Sequence, residues 1–137
     1  GQGIFLTEAV KRGAILVAPD RINQTLNHDE FEQLQHGHDI HSSVRWFDRH
    51  YTVCPEWTDE CYINHAFEPT GLWHPGFVFA MRDLDIDTEL TMDYRYILGE
   101  GCHPEFVDSM TQQPIVGLPW QQVINDTTSK LLKLINN

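Results

Sequence analysis

The chain has 137 residues, of which 41% are hydrophobic and 21% are charged, as expected for one globular domain with a single core. Its formal net charge of -11 at pH 7 repels nucleic-acid phosphates and attracts basic peptides, so we predict no direct binding to nucleic acid. The three cysteines have no paired spacing, and no stretch approaches the roughly 20 apolar residues of a membrane span, so we predict a soluble, intracellular protein without a disulfide framework.

Two short strands are predicted at the start of the chain. Residues 1–6 contain Gly1 and Gly3, and residues 14–18 form an apolar run after a charged turn that ends at Gly13. A Gly-x-Gly pair allows backbone N–H groups to approach a ligand closely. It is not a dinucleotide fingerprint because no third glycine follows at the required offset, and such a pair is most often only a turn.

The next segment, residues 20–60, is polar and rich in aromatic residues. A short helix is predicted at residues 27–34, with Asn27 as its N-cap and acidic residues in its first turn, and it should end by Gly37. Residues 46–55 have the composition of a strand or strand pair that ends at proline.

A group of histidines follows the predicted helix. His36, His38 and His41, together with Asp39, allow a metal-binding hypothesis because imidazole binds zinc, copper or nickel. Polar residues clustered in a surface loop are the commoner explanation of this pattern. We therefore predict no metal site here.

The stretch from residue 61 onward contains the most specific pattern of the chain. Asn64 and His65 precede Pro69 and are predicted to be buried polar side chains that need hydrogen-bond partners. Residues 71–76 are predicted to form a turn and residues 77–81 a short apolar strand.

A second strand is predicted at residues 89–94, with the sequence Glu-Leu-Thr-Met-Asp-Tyr. Its alternation places Leu90, Met92 and Tyr94 on the inward face. A tyrosine in that position needs a hydrogen-bond partner or a functional role. Helical spacing of apolar residues then predicts a C-terminal helix at residues 121–134.

The order of these motifs resembles the SET domain, the fold of S-adenosylmethionine-dependent protein-lysine methyltransferases. The Gly-x-Gly-x-Phe start, the Asn-His-x-x-x-Pro stretch and the Glu-Leu-Thr-x-Asp-Tyr stretch carry the resemblance. It implies a mainly β fold of several small sheets with short helices, a knot-like crossing near the active site and a C-terminal helix. It also implies a single domain over residues 1–137, divided into N-terminal strands (1–19), a variable insert (20–60), a core (61–98) and a flanking segment (99–137).

The resemblance further implies the roles of individual residues. Tyr94 is the counterpart of the catalytic tyrosine of the family. The predicted contacts to S-adenosylmethionine are Gly1, Gln2, Gly3, Asn64, His65, Tyr94 and Trp120, with Phe106 as a second aromatic candidate. The predicted contacts to the substrate lysine are Tyr51, Met92 and Tyr96. Many family members carry a three-cysteine zinc segment near the C-terminus, where this chain has only Cys102, so no such zinc site is expected.

The implied reaction is methyl transfer to a lysine of a basic protein or peptide. Five positions depart from the usual family pattern: Ala66 and Phe67 replace Ser-Cys, Thr70 replaces Asn, and Asp87-Thr88 replaces Gly-Glu. Two alternatives therefore remain open. One is a catalytically silent SET-fold module that binds a protein or peptide, and the other is a histidine-rich metal-binding module.

Overall fold

The computed structural model describes residues 1–18, 24–34, 42–54 and 56–136. The predicted histidine group of His36, His38 and His41 with Asp39 lies outside these residues. Within them, nine strands are found: β1 (Ile4–Phe5), β2 (Ile15–Val17), β3 (Gln24–Asn27), β4 (Val44–Phe47), β5 (His50–Val53), β6 (Asn64–His65), β7 (Gly71–His74), β8 (Phe77–Ala80) and β9 (Glu89–Met92). The helices are α1 (His28–Glu32) and α2 (Trp120–Ile135), and 3-10 segments span Asp59–Tyr62 and Tyr94–Tyr96.

The strands form three small sheets, in the orders β1-β9-β6, β2-β8-β7 and β3-β5-β4. Only the β6–β9 pair is parallel among these described pairings. The first two strands of the chain belong to different sheets, because β1 pairs with β9 and β2 pairs with β8. The predicted fold class, several small sheets with short helices and a C-terminal helix, is confirmed.

The predicted N-cap of the first helix is also confirmed. Asn27 Oδ1 accepts a hydrogen bond from the Glu30 N–H at 2.9 Å, and Glu30 Oε1 accepts one from the Asn27 N–H at 3.2 Å. This reciprocal capping box satisfies two N–H groups at the helix start. The helix ends at Glu32, and its Phe31 ring stacks on Tyr51 of β5 with 3.9 Å between the ring centroids.

The turn predicted at residues 71–76 is wrong for its first four residues, which form strand β7. Leu72 and Trp73 are adjacent and both buried, at 1% and 4% exposure, so the segment lacks the alternation that marks a half-exposed strand. The turn is confined to Pro75 and Gly76. Gly76 has a φ of 84°, and a Cβ there would lie 2.1 Å from the Trp46 ring.

The C-terminal helix covers the core beside β7. It spans two residues more than predicted, and its buried residues are Val123, Thr127 and Leu134. Thr127 Oγ1 lies 3.0 Å from Nδ1 of His74, which joins the helix to β7 by a hydrogen bond inside the core. No helix in the described part of the chain is long and apolar enough to cross a membrane.

Thr127→Val tests the importance of this bond. Valine keeps the shape of threonine but removes the hydroxyl, which leaves the half-buried His74 ring without that partner. We expect the free energy of unfolding to fall by about 1–2 kcal/mol in urea denaturation. Thr128→Val, on the exposed side of the same helix, is the control and should change it by less than about 0.5 kcal/mol. Equal losses in the two variants would contradict the assignment.

Candidate functional site

Strand β9 brings distant parts of the chain together. On one side it pairs antiparallel with β1, with Phe5 opposite Glu89. On the other side it pairs parallel with β6, with Asn64 opposite Thr91 and His65 opposite Met92. The N-terminal loop, the Asn-His pair and the residues that follow β9 therefore meet at one place.

The N-terminal loop is tied to this place by Asn64. Its Nδ2 donates hydrogen bonds to the Gln2 carbonyl at 2.9 Å and to Glu89 Oε1 at 2.8 Å. A Cβ on Gly3 would lie 2.5 Å from Glu89 Oε1 and 3.1 Å from Asn64 Nδ2, so a larger residue at this position would displace the Glu89 carboxylate from Asn64. The predicted burial is wrong for Asn64, which is exposed, because it lies at the open edge of β6. It is confirmed for the His65 side chain, which is 3% exposed.

Tyr94 follows β9 directly. The predicted strand ends at Met92, because Asp93 caps a 3-10 segment that begins at Tyr94. The Tyr94 hydroxyl donates to the Ile63 carbonyl at 2.5 Å, and the Tyr94 N–H donates to Nδ1 of His65 at 3.0 Å. Burial raises the pKa of Tyr94 to about 12, so its hydroxyl is neutral at pH 7. It can accept a hydrogen bond but is not a general base at that pH.

A cavity of about 360 Å³ lies beside Tyr94. Its lining residues are Gln2, Trp57, Cys61, Tyr62, Asn64, Tyr94 and Phe106. Four of the seven are aromatic. Trp57 meets Tyr62 edge-on at 5.3 Å, and Tyr94 meets Phe106 edge-on at 6.3 Å. Aromatic walls of this kind exclude water and attract positively charged groups.

A larger depression of about 600 Å³ lies between Lys11, Arg12, Arg82 and Asp83. It is open to solvent, and none of the predicted site residues lines it. We therefore assign the candidate site to the smaller aromatic cavity. Among the described residues, no group of three or more His, Cys, Asp and Glu side chains is arranged to hold a metal ion.

The structure brings most of the predicted cofactor residues together. Gln2, Asn64 and Tyr94 line the cavity, and Gly3 contacts the Asn64 side chain from the N-terminal loop. Gly1 precedes them in the same loop and has no atom within 4 Å of an added Cβ. His65 lies behind Tyr94, with 5.3 Å between the two ring centroids.

Four other predicted residues lie outside the cavity lining. Tyr51 is buried under Phe31, and Met92 belongs to the hydrophobic core. The Tyr96 hydroxyl accepts a hydrogen bond from Lys130 Nζ at 2.8 Å. Trp120 packs against Phe47 at 4.9 Å between ring centroids. The roles of Tyr51, Met92, Tyr96 and Trp120 toward substrate or cofactor stay predictions.

Sequence reasoning missed three of the lining residues, Trp57, Cys61 and Tyr62. They lie just before Asn64, at and beside the 3-10 segment Asp59–Tyr62. Proximity to the Asn-His pair was the only available signal, since an aromatic residue in a cavity wall has the same sequence signature as one in a core.

His65 supports Tyr94 from a buried position. Its Nε2 is buried, has no hydrogen-bond partner in the described part of the chain, and lies 3.8 Å from Asp108 Oδ1. Burial lowers the pKa of His65, and this effect outweighs the opposing attraction of Asp93 and Asp108. The ring is therefore neutral at pH 7. Because Nδ1 accepts from the Tyr94 N–H, the proton of the neutral ring is on Nε2.

We expect the His65 ring to titrate below pH 6.5, its ordinary value. The unfolded chain then binds the proton more readily than the folded one, so the stability that the neutral ring contributes is present above about pH 6.5 and is lost as pH falls toward the folded pKa. Long-range ¹H–¹⁵N NMR between pH 7.5 and 5.0 measures the midpoint, with a histidine model peptide as the control. A midpoint at or above that of the peptide would contradict this expectation.

Comparison with protein-family models matches residues 1–95 to the model described as SET domain. The matched residues include all nine strands and every cavity-lining residue except Phe106. Comparison with curated protein sequences gives no match.

Proposed function

Because this chain belongs to the SET-domain family, we propose that it is an S-adenosylmethionine-dependent methyltransferase that acts on a lysine side chain of a protein. Members of this family are usually protein-lysine methyltransferases. The observation that carries the proposal is that Tyr94, whose hydroxyl donates to the Ile63 carbonyl, lines an aromatic cavity that Asn64 also lines. The residue types of that cavity suit a reaction between a positively charged methyl donor and an uncharged, desolvated amine.

The residues present fit the cofactor. The Gly3 backbone lies close to the Asn64 side chain, and Asn64 offers an exposed amide beside it, as the polar methionine end of the cofactor needs. The aromatic walls suit the positive sulfur. When bound, S-adenosylmethionine supplies a methyl group on that sulfur. Gln2, Gly3 and Asn64 would hold the polar end, and Phe106 would supply an aromatic contact from the same cavity.

The methyl acceptor must be a neutral amine. A lysine has a reference pKa near 10.4, so keeping it neutral at pH 7 costs about 4–5 kcal/mol in water. Removing the amine from water lowers that cost because desolvation destabilises the charged form, and a positive sulfur next to the amine would disfavour a second positive charge. Tyr94 and Tyr62 are placed to provide this environment, and excess negative charge on the protein attracts a lysine-rich substrate at long range.

Tyr94 acts by position rather than by taking a proton. Its hydroxyl hydrogen is bonded to the Ile63 carbonyl, which leaves an oxygen lone pair to accept a hydrogen bond from the amine. Holding the amine in line with the methyl group supplies much of the rate enhancement in a displacement of this kind. The lysine ammonium would release its proton to water before the transfer. The nitrogen lone pair would then bond to the methyl carbon, and the electrons of the methyl–sulfur bond would stay on the sulfur, which becomes a neutral thioether.

Calorimetric titration with S-adenosylmethionine tests the cofactor site. We expect the parent protein to bind and Asn64→Ala to bind at least about tenfold more weakly, since the variant loses the amide that ties the N-terminal loop to β9. Asn125→Ala, which alters an exposed residue of α2, is the control and should bind like the parent. If the parent does not bind, the alternative of a silent SET-fold module that binds a protein or peptide is favoured.

The role of Tyr94 is tested with Tyr94→Phe, which keeps the ring and removes the hydroxyl. We expect kcat to fall about 100-fold on a basic protein substrate, with the affinity for S-adenosylmethionine changed less than about threefold. Mass spectrometry of the products measures the rate. Tyr51→Phe and Tyr96→Phe should lose less activity because neither hydroxyl lines the cavity. An unchanged kcat in Tyr94→Phe would exclude the assigned role.

A further inference from the structure

Asp108 lies beyond the residues that the family model matches, yet it is buried against the site. Its Oδ2 accepts hydrogen bonds from the backbone N–H and the hydroxyl of Thr111, both at 2.7 Å. The Asp108 N–H donates to the Gln113 carbonyl at 2.9 Å. These bonds fix the carboxylate in a compact turn, and its second oxygen, Oδ1, lies 3.8 Å from Nε2 of His65.

The bonds of His65 select one form of its neutral ring. Nδ1 accepts from the Tyr94 N–H, so the ring hydrogen must be on Nε2, the nitrogen nearest Asp108. With the hydrogen on Nδ1 instead, two donors would face each other at 3.0 Å. The position of the Tyr94 backbone therefore depends on which His65 nitrogen carries the hydrogen.

Among the described residues, Asp93 and Arg95 are the other charged groups next to this ring. Asp93 Oδ1 lies 4.0 Å from Nδ1 of His65, but both oxygens of Asp93 accept from the Arg95 guanidinium, at distances of 2.6–3.1 Å. That ion pair compensates the charge of Asp93. Asp108 is therefore the carboxylate that faces the Nε2 side of the ring.

We propose that Asp108 is a positioning residue, which acts through His65 on Tyr94. Its carboxylate holds the imidazole with the hydrogen on Nε2, so that Nδ1 accepts from the Tyr94 N–H and fixes the tyrosine in the cavity wall. The expected effect on rate rests on the proposed methyl transfer. The effect on the imidazole and on the Tyr94 amide does not.

Asp108→Asn separates this role from ordinary packing. In this variant the N–H and the hydroxyl of Thr111 still donate to the amide oxygen of the asparagine. The NH₂ group of the asparagine therefore faces Nε2 of His65, where it disfavours a hydrogen on that nitrogen because two donors would meet. The Nδ1–H form is then favoured, and the bond from the Tyr94 N–H is lost. Asp108→Ala removes the carboxylate without placing a donor at Nε2, so we expect it to weaken the preference for the Nε2–H form without reversing it, and to speed exchange of the Tyr94 amide less than Asp108→Asn does.

The experiment combines long-range ¹H–¹⁵N NMR of His65 with hydrogen exchange of the Tyr94 amide and single-turnover methyl transfer. For Asp108→Asn we expect a majority Nδ1–H form, at least about tenfold faster amide exchange, and a methyl-transfer rate about tenfold below that of Asp108→Ala. A purely structural role predicts the reverse order of rates, because alanine also loses both bonds to Thr111.

Two results would overturn the proposal. One is the Nε2–H form persisting in folded Asp108→Asn, and the other is the Nδ1–H form in the parent protein, a measurement that needs no variant. If the ring form changes as expected but no variant and no parent transfers methyl groups, the positioning of Tyr94 by Asp108 stands and the proposed reaction fails. The two proposals are thus tested separately.

Discussion

The parallel pairing of β6 with β9 is the constraint on which the site depends. It joins only two residue pairs, Asn64 with Thr91 and His65 with Met92. The same alignment places the Ile63 carbonyl at the Tyr94 hydroxyl and the His65 ring at the Tyr94 N–H. A shift by one residue would exchange the exposed Asn64 for the buried His65, because side chains alternate along a strand. Because the β6–β9 pairing contains only two residue pairs, it needs support from neighbouring side chains.

Thr70 supplies part of that support. Its Oγ1 donates to the Glu89 carbonyl at 2.8 Å and accepts from the Thr91 N–H at 2.9 Å, and its own N–H donates to Thr91 Oγ1 at 3.0 Å. The family pattern has an asparagine at this position, yet the shorter hydroxyl reaches both backbone groups because β9 passes directly beside it. The departure at Thr70 therefore leaves β9 with side-chain bonds as well as strand partners on both edges.

Local patterns predicted the features that local physics determines. The N-cap at Asn27 and the apolar spacing of α2 were visible in the sequence, as were the two motifs that meet at β9. Strand β7 was not visible in the sequence. Its two buried residues, Leu72 and Trp73, are adjacent, so the segment lacks the alternation of apolar and polar residues that marks a strand, and glycine and proline flank it. The role of Asp108 was not visible in the sequence either, because a single acidic residue in a polar loop gives no indication of which ring it faces in the folded chain.

Residues 101–117 of the flanking segment hold Phe106 and Asp108 at the site because the two ends of this loop are bonded to each other. The Gly101 N–H donates to the Gly117 carbonyl at 3.0 Å, the Gly117 N–H donates to the Cys102 carbonyl at 2.8 Å, and Gly117 lies so close to the Gly99 carbonyl that there is no room for a Cβ. Beside it, the buried Arg45 donates from Nη2 to the Leu118 carbonyl at 2.7 Å. Many SET domains close this side with zinc-bound cysteines. Here the described contacts that close it are backbone hydrogen bonds and a buried guanidinium, so the geometry at His65 depends on the folding of the segment itself.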